Sequence, residues 1–267
     1  MNPTAWSAAY RIGCVQYLNS KPLIHGLPRV ALAHPSELAA SLGRGELDVA
    51  LVPVLELLRH PAAYTVVDGV AIASDGPVYS VFVASETAES TPDRWAEVVA
   101  DPASLTSLHL VQVLLRNALR SHASIVSERS SSLPPNQSAQ LLIGNQAIAF
   151  RQAHGANRHY WDLGEAWREW TGLPFVYALW VMRRNLPPEN QTQIARGLRE
   201  IARQGIAAIE TIASTETAFG VDFARRYLSE HIRFALGEPE KNGLRRFQRE
   251  LAHAGFIENA SAEIRWV

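Results

Sequence analysis

The chain changes abruptly from apolar to polar at Tyr17-Leu18-Asn19-Ser20-Lys21-Pro22-Leu23. The run before it, Arg11-Ile12-Gly13-Cys14-Val15, has the composition of a buried strand. A buried strand that ends in a polar loop presents that loop at the carboxyl edge of its sheet, where ligands bind in open α/β folds. The alternative is a plain strand-to-helix connection, in which Asn19 or Ser20 caps a helix and Pro22 lies in its first turn. On this stretch alone, capping is the simpler interpretation.

Strand and helix patterns alternate outward from this stretch through the first two-thirds of the chain. Apolar runs predict further strands at Leu47–Val52, Val66–Ala73, Val78–Ala84, Ala96–Ala100, Ser124–Val126, Gln140–Ile143 and Phe175–Met182. Periodic segments predict helices at Pro35–Gly43, with Ser36 as its cap, and at Val54–Arg59 and Thr106–Arg120. This alternation predicts an α/β fold with a largely parallel sheet.

The last third of the chain has helical patterns only. They predict helices at Pro187–Thr211, Phe219–Glu230 and Pro239–Ala254, with no strand after them. We expect this helical C-terminal segment to pack back on the first part of the chain.

A chain that leaves one lobe and later returns to it makes a two-lobed protein. We expect residues 1–90 and 183–267 to form the first lobe and residues 91–182 to form the second, with a ligand cleft between them. Two crossing strands, Val78–Ala84 and Phe175–Met182, would carry the chain from one lobe to the other.

Composition narrows the classes of function. The 267 residues, 47% of them hydrophobic, suffice for two lobes with their own cores. The net charge of −1 and the scattered arginines give no reason to expect binding to nucleic acid or to a membrane. Because the sequence shows neither a secretory signal pattern nor an apolar run of membrane-spanning length, we expect a soluble cytoplasmic protein. We expect it to be a monomer or a homodimer.

Familiar catalytic motifs are missing from the sequence. It has no G-x-G-x-x-G, P-loop or G-x-S-x-G pattern. None of the nine histidines has a metal-ligand spacing, so no metal is expected. The single cysteine, Cys14, lies in an apolar strand and is expected to be a small buried hydrophobe. Asp162 and Glu165 form an acidic pair, in which Asp162 is expected to cap a helix.

Three polar loops follow apolar strands and are the remaining candidates for a site. They are Asn19-Ser20-Lys21, Ser74–Ser80 and Pro102–Ser107. Hydroxyl groups and free backbone N–H groups at the start of a helix can bind a carboxylate or a phosphate. Capping explains each loop taken singly, whereas three such loops at the cleft of a two-lobed α/β protein favour a small anionic ligand.

Four motifs together resemble the chorismate dehydratase family, which catalyses the first step of the futalosine-type menaquinone pathway. They are Tyr17–Leu23, Gly45–Ala50, Ser74–Val81 and Asp162–Val176. The likeness runs from about residue 10 to residue 185 and is followed by a compatible helical tail. It implies a fold like that of the type II periplasmic binding proteins.

The resemblance also implies an activity and a set of residues. Enzymes of this family convert the dicarboxylate chorismate to 3-[(1-carboxyvinyl)oxy]benzoate without a metal or an organic cofactor. They are hydro-lyases, a subclass of the carbon–oxygen lyases. Asn19 matches its essential loop asparagine, while Ser80 and the pair Thr106 and Ser107 match its hydroxyl positions. Further candidate substrate-binding residues come from the same polar loops, namely Ser20 and Ser104.

The chemistry of such a dehydration suits neutral residues. Removal of the proton on the ether carbon of chorismate lets charge spread to the ring carboxylate, after which the hydroxyl leaves and the ring becomes aromatic. If a carboxylate of the substrate takes that proton, the protein has to supply positioning and electrostatic stabilisation rather than a strong base.

One departure and three alternatives remain open. The family often has an acid where Asn145 follows Gly144, and Asn145 can replace it only if the acid caps a helix. A non-catalytic binding protein for a small carboxylate would normally carry an export signal. The related 1,4-dihydroxy-6-naphthoate synthase has the motif Ser-Pro-Cys-Pro-Asn-Asp, which differs from Cys14–Asn19 here. A regulatory effector domain would follow a helix-turn-helix block, and none precedes residue 10.

Overall fold

A computed structural model describes residues 5–101 and 104–267 of the chain. Its strands, in chain order, are β1 (Ile12–Val15), β2 (Ala31–Ala33), β3 (Val49–Pro53), β4 (Tyr64–Ser74), β5 (Val81–Ser85), β6 (Glu97–Val99), β7 (Ser124–Val126), β8 (Ser138–Ile143), β9 (Tyr160–Asp162), β10 (Phe175–Arg183) and β11 (Arg233–Leu236).

The helices lie between these strands and after β10. They are α1 (Pro35–Gly43), α2 (Val54–Arg59), α3 (Leu105–Val113), α4 (Gly144–His154), α5 (Leu163–Thr171), α6 (Pro188–Ala207), α7 (Ile209–Ser214), α8 (Val221–Arg226) and α9 (Glu238–His253). Shorter 3-10 segments are Ala5–Ala9, Leu18–Ile24, Pro92–Arg94, Pro135–Gln137 and Gly155–Asn157, and π-helical turns at Leu114–Ala118 and Tyr227–His231 continue α3 and α8.

The chain separates into two compact units. One contains the described residues up to Ala73 together with Val176–Val267, and the other is Ser74–Phe175. The sequence-based boundaries lie later, after residues 90 and 182. In the structure the chain passes between the units at the end of β4 and at the start of β10, while β5, expected as a crossing strand, lies inside the second unit.

Each unit is built on one mixed sheet. The strand order is β11-β4-β10-β3-β1-β2 in the first unit and β7-β6-β8-β5-β9 in the second. In the first, β1 is parallel to β2 and β3, but β10 is antiparallel to β3 and β11 to β4. In the second, β6 is parallel to β7 and β8, but β5 is antiparallel to β8 and β9.

The expectation of a largely parallel sheet is therefore wrong. Strands that follow one another through helical crossovers are parallel, as the βαβ pattern requires. The exceptions β5 and β10 are the first strands after the chain passes from one unit to the other. Their direction is not set by a helical crossover, so the local pattern could not reveal it.

The expectation that no strand follows Met182 is also wrong. β11 pairs with β4, and an isolated bridge joins Val66 to Trp266. The alternation typical of a strand is present in β11, but it is short. Its residues alternate between exposed and buried, with Phe234 and Leu236 buried. Four residues inside a helical region are too few to establish a period of two against the surrounding helical pattern.

Three details of the helices also differ from the sequence-based expectation. The cap position of α1 is His34 rather than Ser36, and Pro35 takes the first turn. The helix expected over residues 106–120 is α helical only to Val113 and continues as a π turn to Ala118, which leaves Leu119 40% exposed. α4 was not predicted, because only a few of its residues are buried and its apolar pattern is weak.

Candidate functional site

In the first unit, Asn19 lies where the carboxyl end of β1 gives way to the 3-10 helix Leu18–Ile24. β1 has a parallel neighbour on each side, so its carboxyl end is an edge of the kind that binds ligands in α/β folds. Asn19 is 9% exposed, and its Oδ1 has no hydrogen-bond partner in the part of the chain that the structure describes. A buried acceptor left without a donor costs about 1–3 kcal/mol. The Oδ1 of Asn19 is therefore open to a hydrogen-bond donor from outside the described chain.

The capping interpretation of this stretch is wrong. Tyr17 occupies the N-cap position without a side-chain capping bond, and Pro22 lies inside the 3-10 helix rather than at its start. Ser20 instead fixes the turn, because its Oγ donates to the carbonyl oxygens of Val15 at 2.7 Å and Tyr17 at 2.8 Å. Ser20 is 1% exposed, and its hydroxyl proton is committed to the backbone. A role for Ser20 in binding substrate stays a prediction.

Cys14 lies in β1 just before this turn and is fully buried. Burial raises the pKa of its thiol to about 12, against smaller opposing effects of hydrogen bonds with Ser20 and Val15. The thiol is therefore neutral at physiological pH. Since the thiolate is the nucleophile, Cys14 is unreactive and serves as packing, as expected.

Lys21 forms an ion pair with Glu216. Its Nζ lies 2.6 Å from Oε2 of Glu216, whose side chain is 5% exposed. Burial opposes the ionisation of Glu216, but the hydrogen bonds from Lys21 and from the Ala218 N–H outweigh it, so the pKa of Glu216 lies below its ordinary value. The pair ties the turn to the segment after α7.

Helix α6 packs directly on the same turn. A Cβ at Gly205 of α6 would lie 1.8 Å from the carbonyl oxygen of Pro22, so only glycine allows this approach. The backbone around Asn19 is thus fixed by Ser20 within the turn and by α6 against it.

In the second unit, Ser80 immediately precedes β5 and is fully buried. Its N–H donates to the carbonyl oxygen of Val78 at 2.8 Å, and its own carbonyl accepts from the N–H of Gly144 at 2.8 Å. Gly144 begins α4, so Ser80 is anchored at the start of that helix. Between Val78 and Ser80, Tyr79 has φ of 68°, a left-handed conformation that is uncommon for a residue with a side chain.

Asp162 connects this segment to helix α5. Oδ1 accepts from the N–H groups of Val78 at 3.1 Å, Gly164 at 3.0 Å and Glu165 at 3.2 Å, and Oδ2 accepts from Tyr79 N–H at 2.7 Å. Burial raises the pKa of Asp162, against these backbone hydrogen bonds. The expectation that Asp162 caps a helix is confirmed, and the structure adds its bonds to the residues before Ser80.

A cation–aromatic stack covers Tyr79. The guanidinium carbon of Arg151 lies 4.4 Å from the centre of the Tyr79 ring, 5.0 Å from that of Tyr160 and 5.8 Å from that of Phe82. Such contacts contribute about 0.5–1 kcal/mol where exposed and more where desolvated. Arg151 thus helps to hold the ring of Tyr79 in place.

The remaining predicted hydroxyls gather at the start of α3. Ser104, Thr106 and Ser107 are 8%, 4% and 6% exposed. Ser104 occupies the N-cap position without a side-chain capping bond, so its hydroxyl is not used for capping. Pro102 and Ala103 of the same loop lie outside the described residues.

Asn145 is the second residue of α4, and Ile143 takes the N-cap position. Asn145 itself therefore does not occupy the N-cap position of α4. Asn145 follows Gly144, the residue bonded to Ser80.

The structure thus brings predicted residues together within each unit. Asn19 and Ser20 share one turn of the first unit, and Ser104, Thr106 and Ser107 share the first turn of α3 in the second. The sequence did not reveal the stack of Arg151 on Tyr79 or the bonds from Asp162 to Val78 and Tyr79. The only local signal was the capping pattern at Asp162, since its bonds to Val78 and Tyr79 span 84 and 83 residues.

Other features of the described surface lie apart from the predicted site residues. Two clefts described in the second unit, of about 350 Å³ and 820 Å³, are lined by none of the predicted residues. Within residues 5–101 and 104–267, no three His, Cys, Asp or Glu side chains are grouped as a metal ion requires. Of the helices described, none has both the length and the apolar character needed to cross a membrane.

Comparisons with known proteins agree with the motifs. A menaquinone biosynthesis family matches residues 10–253. The chorismate dehydratase of Thermus thermophilus is 30% identical over an alignment length of 263, and the match covers 91% of this chain and 95% of that protein.

Solved structures with similar folds have much lower identity. A protein of Archaeoglobus fulgidus has a TM-score of 0.71 and 16% identity, covering 93% of this chain and 98% of its own. A Candida albicans protein described as having the generic periplasmic binding protein fold has a TM-score of 0.60 and 12% identity, covering 95% and 92%. The fold is therefore that of the periplasmic binding proteins, and the chain belongs to the menaquinone biosynthesis family.

Proposed function

We propose that this protein is a chorismate dehydratase of the cytoplasm. It converts chorismate to 3-[(1-carboxyvinyl)oxy]benzoate and water, as a carbon–oxygen lyase, in the first step of the futalosine-type menaquinone pathway. The family match and the 30% identical relative of that name support this assignment.

One observation in the structure carries the proposal, namely the buried Oδ1 of Asn19, which has no partner among the described residues. An acceptor of this kind needs a donor from the ligand. The ring hydroxyl of chorismate is such a donor, and it is also the group that leaves. Asn19 is therefore assigned as the catalytic residue, which orients the hydroxyl for departure.

The reaction balances without an added reagent. The C–H bond at the ether carbon breaks, and the side-chain carboxylate of the substrate takes the proton. The electron pair forms the new ring double bond as the C–O bond to the hydroxyl breaks. The departing hydroxide takes the proton from the side-chain carboxyl group and leaves as water, which restores the carboxylate. Because the ring becomes aromatic, the enzyme needs mainly to hold the reactive geometry and to stabilise developing charge.

The other predicted residues are assigned to binding the substrate. Ser80, Ser104, Thr106 and Ser107 are buried hydroxyl residues, three of them at the first turn of α3. Hydroxyl groups and a helix N-terminus stabilise a carboxylate without supplying a base that would compete for the proton. Ser20 supports the turn that carries Asn19.

The experiment is incubation of the wild-type protein with chorismate, followed by mass spectrometry and ultraviolet absorption of the products. We expect an aromatic product that has lost one water and retains the enolpyruvyl ether. Chorismate alone, kept at the same temperature, controls for spontaneous decay. Chorismate recovered unchanged, whether free or bound, would refute the assignment, as would the release of pyruvate.

A further inference from the structure

The segment just before Ser80 is a strained turn. The N–H of Ser80 bonds to the carbonyl of Val78, two residues back, and the residue between them, Tyr79, has φ of 68°. This combination is the γ-turn with a positive central φ near +75°, a rare and strained form. Strained backbone of this kind persists only where the surroundings hold it in several ways.

Asp162 supplies much of that support. Its carboxylate accepts from both N–H groups that enter the turn, those of Val78 and Tyr79. The same carboxylate caps α5 through Gly164 and Glu165, which fixes the carboxylate itself. Asp162 is 4% exposed, so these bonds are shielded from water and from competing ions.

We propose that Asp162 is a positioning residue for the reaction: it holds the γ-turn at Tyr79 so that Ser80 is presented to the substrate. This inference rests on the proposed function, since Ser80 is assigned there to binding substrate. A shift of about 1 Å in such a group can cost about 100-fold in rate. The stack of Arg151 on Tyr79 supports the same turn from the side of the ring.

Substitution by asparagine separates the two roles of Asp162. An asparagine oxygen in place of Oδ1 keeps the bonds to Val78, Gly164 and Glu165, and asparagine is itself a good N-cap. The amide nitrogen in place of Oδ2 would then face the N–H of Tyr79, donor against donor. Asp162→Asn therefore keeps the helix cap and removes the bond at the strained residue.

The test is the steady-state kinetics of chorismate conversion by Asp162→Asn. We expect KM to rise by about 10-fold to 100-fold with a smaller fall in kcat. The melting temperature should fall by a few degrees while the protein still folds, because the N–H of Tyr79 loses its acceptor. Ser80→Ala should add little to the loss in the Asp162→Asn background, because both changes act on the same contact. Glu165→Gln is the matched control: it removes a carboxylate from the same helical turn, leaves the N–H of Tyr79 untouched and should behave as the wild type.

Three outcomes decide the matter. A wild-type KM in Asp162→Asn would overturn the positioning role, and so would full additivity with Ser80→Ala. A wild-type protein that does not convert chorismate would refute the proposed function and the positioning role with it. In that case, amide hydrogen exchange at residues 78–80 of Asp162→Asn would still show whether the carboxylate holds the turn, by faster exchange there than in α5.

Discussion

Asn19 and Ser20 are neighbours in one turn, but their side chains differ in how they are hydrogen-bonded within the chain. The Ser20 hydroxyl shares its one proton between two backbone carbonyl oxygens, whereas the Oδ1 of Asn19 is buried without a partner among the described residues. The sequence predicted a polar turn at a sheet edge but could not distinguish these two uses. Which atom is satisfied depends on the conformation of the turn, and the residue types alone do not determine that conformation.

Asp48 is the residue whose charge matters most clearly to stability. Its carboxylate accepts from the backbone N–H of Arg11 at 2.9 Å and from its Nη2 at 2.7 Å, and from Nη2 of Arg183 at 2.7 Å. Burial opposes the ionisation of Asp48, but these bonds prevail and lower its pKa from 3.8 to about 2. The ionised carboxylate thus joins the start of β1 to the end of β10.

We expect Asp48→Asn to lower the free energy of unfolding at neutral pH by about 2 kcal/mol, because folding lowers the pKa of this 8% exposed residue from 3.8 to about 2 and each tenfold change in proton affinity corresponds to about 1.4 kcal/mol. Because the pKa is lowered in the folded state, the wild type has this contribution above about pH 4 and loses it as the pH falls towards 2. Urea unfolding at a series of pH values measures the effect, and the profile of Asp48→Asn should be flatter over that range.

The matched control for Asp48 is Asp222→Asn. The side chain of Asp222 is 97% exposed and pairs with Arg225 across the helix surface. Exposed pairs of this kind contribute little, so its unfolding profile should match that of the wild type. Equal pH profiles for Asp48→Asn and the wild type would show that the Asp48 carboxylate does not stabilise the fold.

At the scale of elements, long apolar patterns and capping residues predicted strands and helices, whereas short or weakly apolar segments were not recognised. The predicted cap at Asp162 identified the start of α5 because a capping side chain acts on residues two and three positions away. β11 and α4 were not predicted, because the strand is four residues long and the helix buries few residues. The close contact of α6 with the turn at Pro22 was also invisible, because it joins residues far apart in the chain.

That close contact gives a prediction for the packing of α6. Gly205→Ala would place a methyl group 1.8 Å from the carbonyl oxygen of Pro22, which is backbone and cannot rotate away. We expect a loss of about 1–3 kcal/mol in the free energy of unfolding, measured by urea denaturation.

Gly43→Ala, at the end of α1, is the control, since no atom lies within 4 Å of its Cβ position. It should be neutral or slightly stabilising. Equal stability of the two variants would contradict the packing of α6 on the turn.

At the scale of the whole molecule, the sequence predicted the fold class and the family. The motifs around Tyr17–Leu23 and Asp162–Val176 led to the resemblance that the family match over residues 10–253 confirms. The directions of β5 and β10 were not predictable, because they depend on where the chain passes between its two units. Likewise the bonds from Asp162 to the turn at Tyr79 join positions 83 residues apart, which one sequence cannot reveal.

The most direct test of the proposed function is the turnover of chorismate by Asn19→Ala. We expect kcat to fall by about 100-fold or more, as when a polar group that contacts the reacting atoms is removed. The free energy of unfolding should not fall, because the Oδ1 of Asn19 has no bond within the described chain to lose. Asn185→Ala, at an exposed asparagine, is the matched control and should keep wild-type turnover. A folded Asn19→Ala protein that converts chorismate at close to the wild-type rate would contradict the assignment of Asn19 as the catalytic residue.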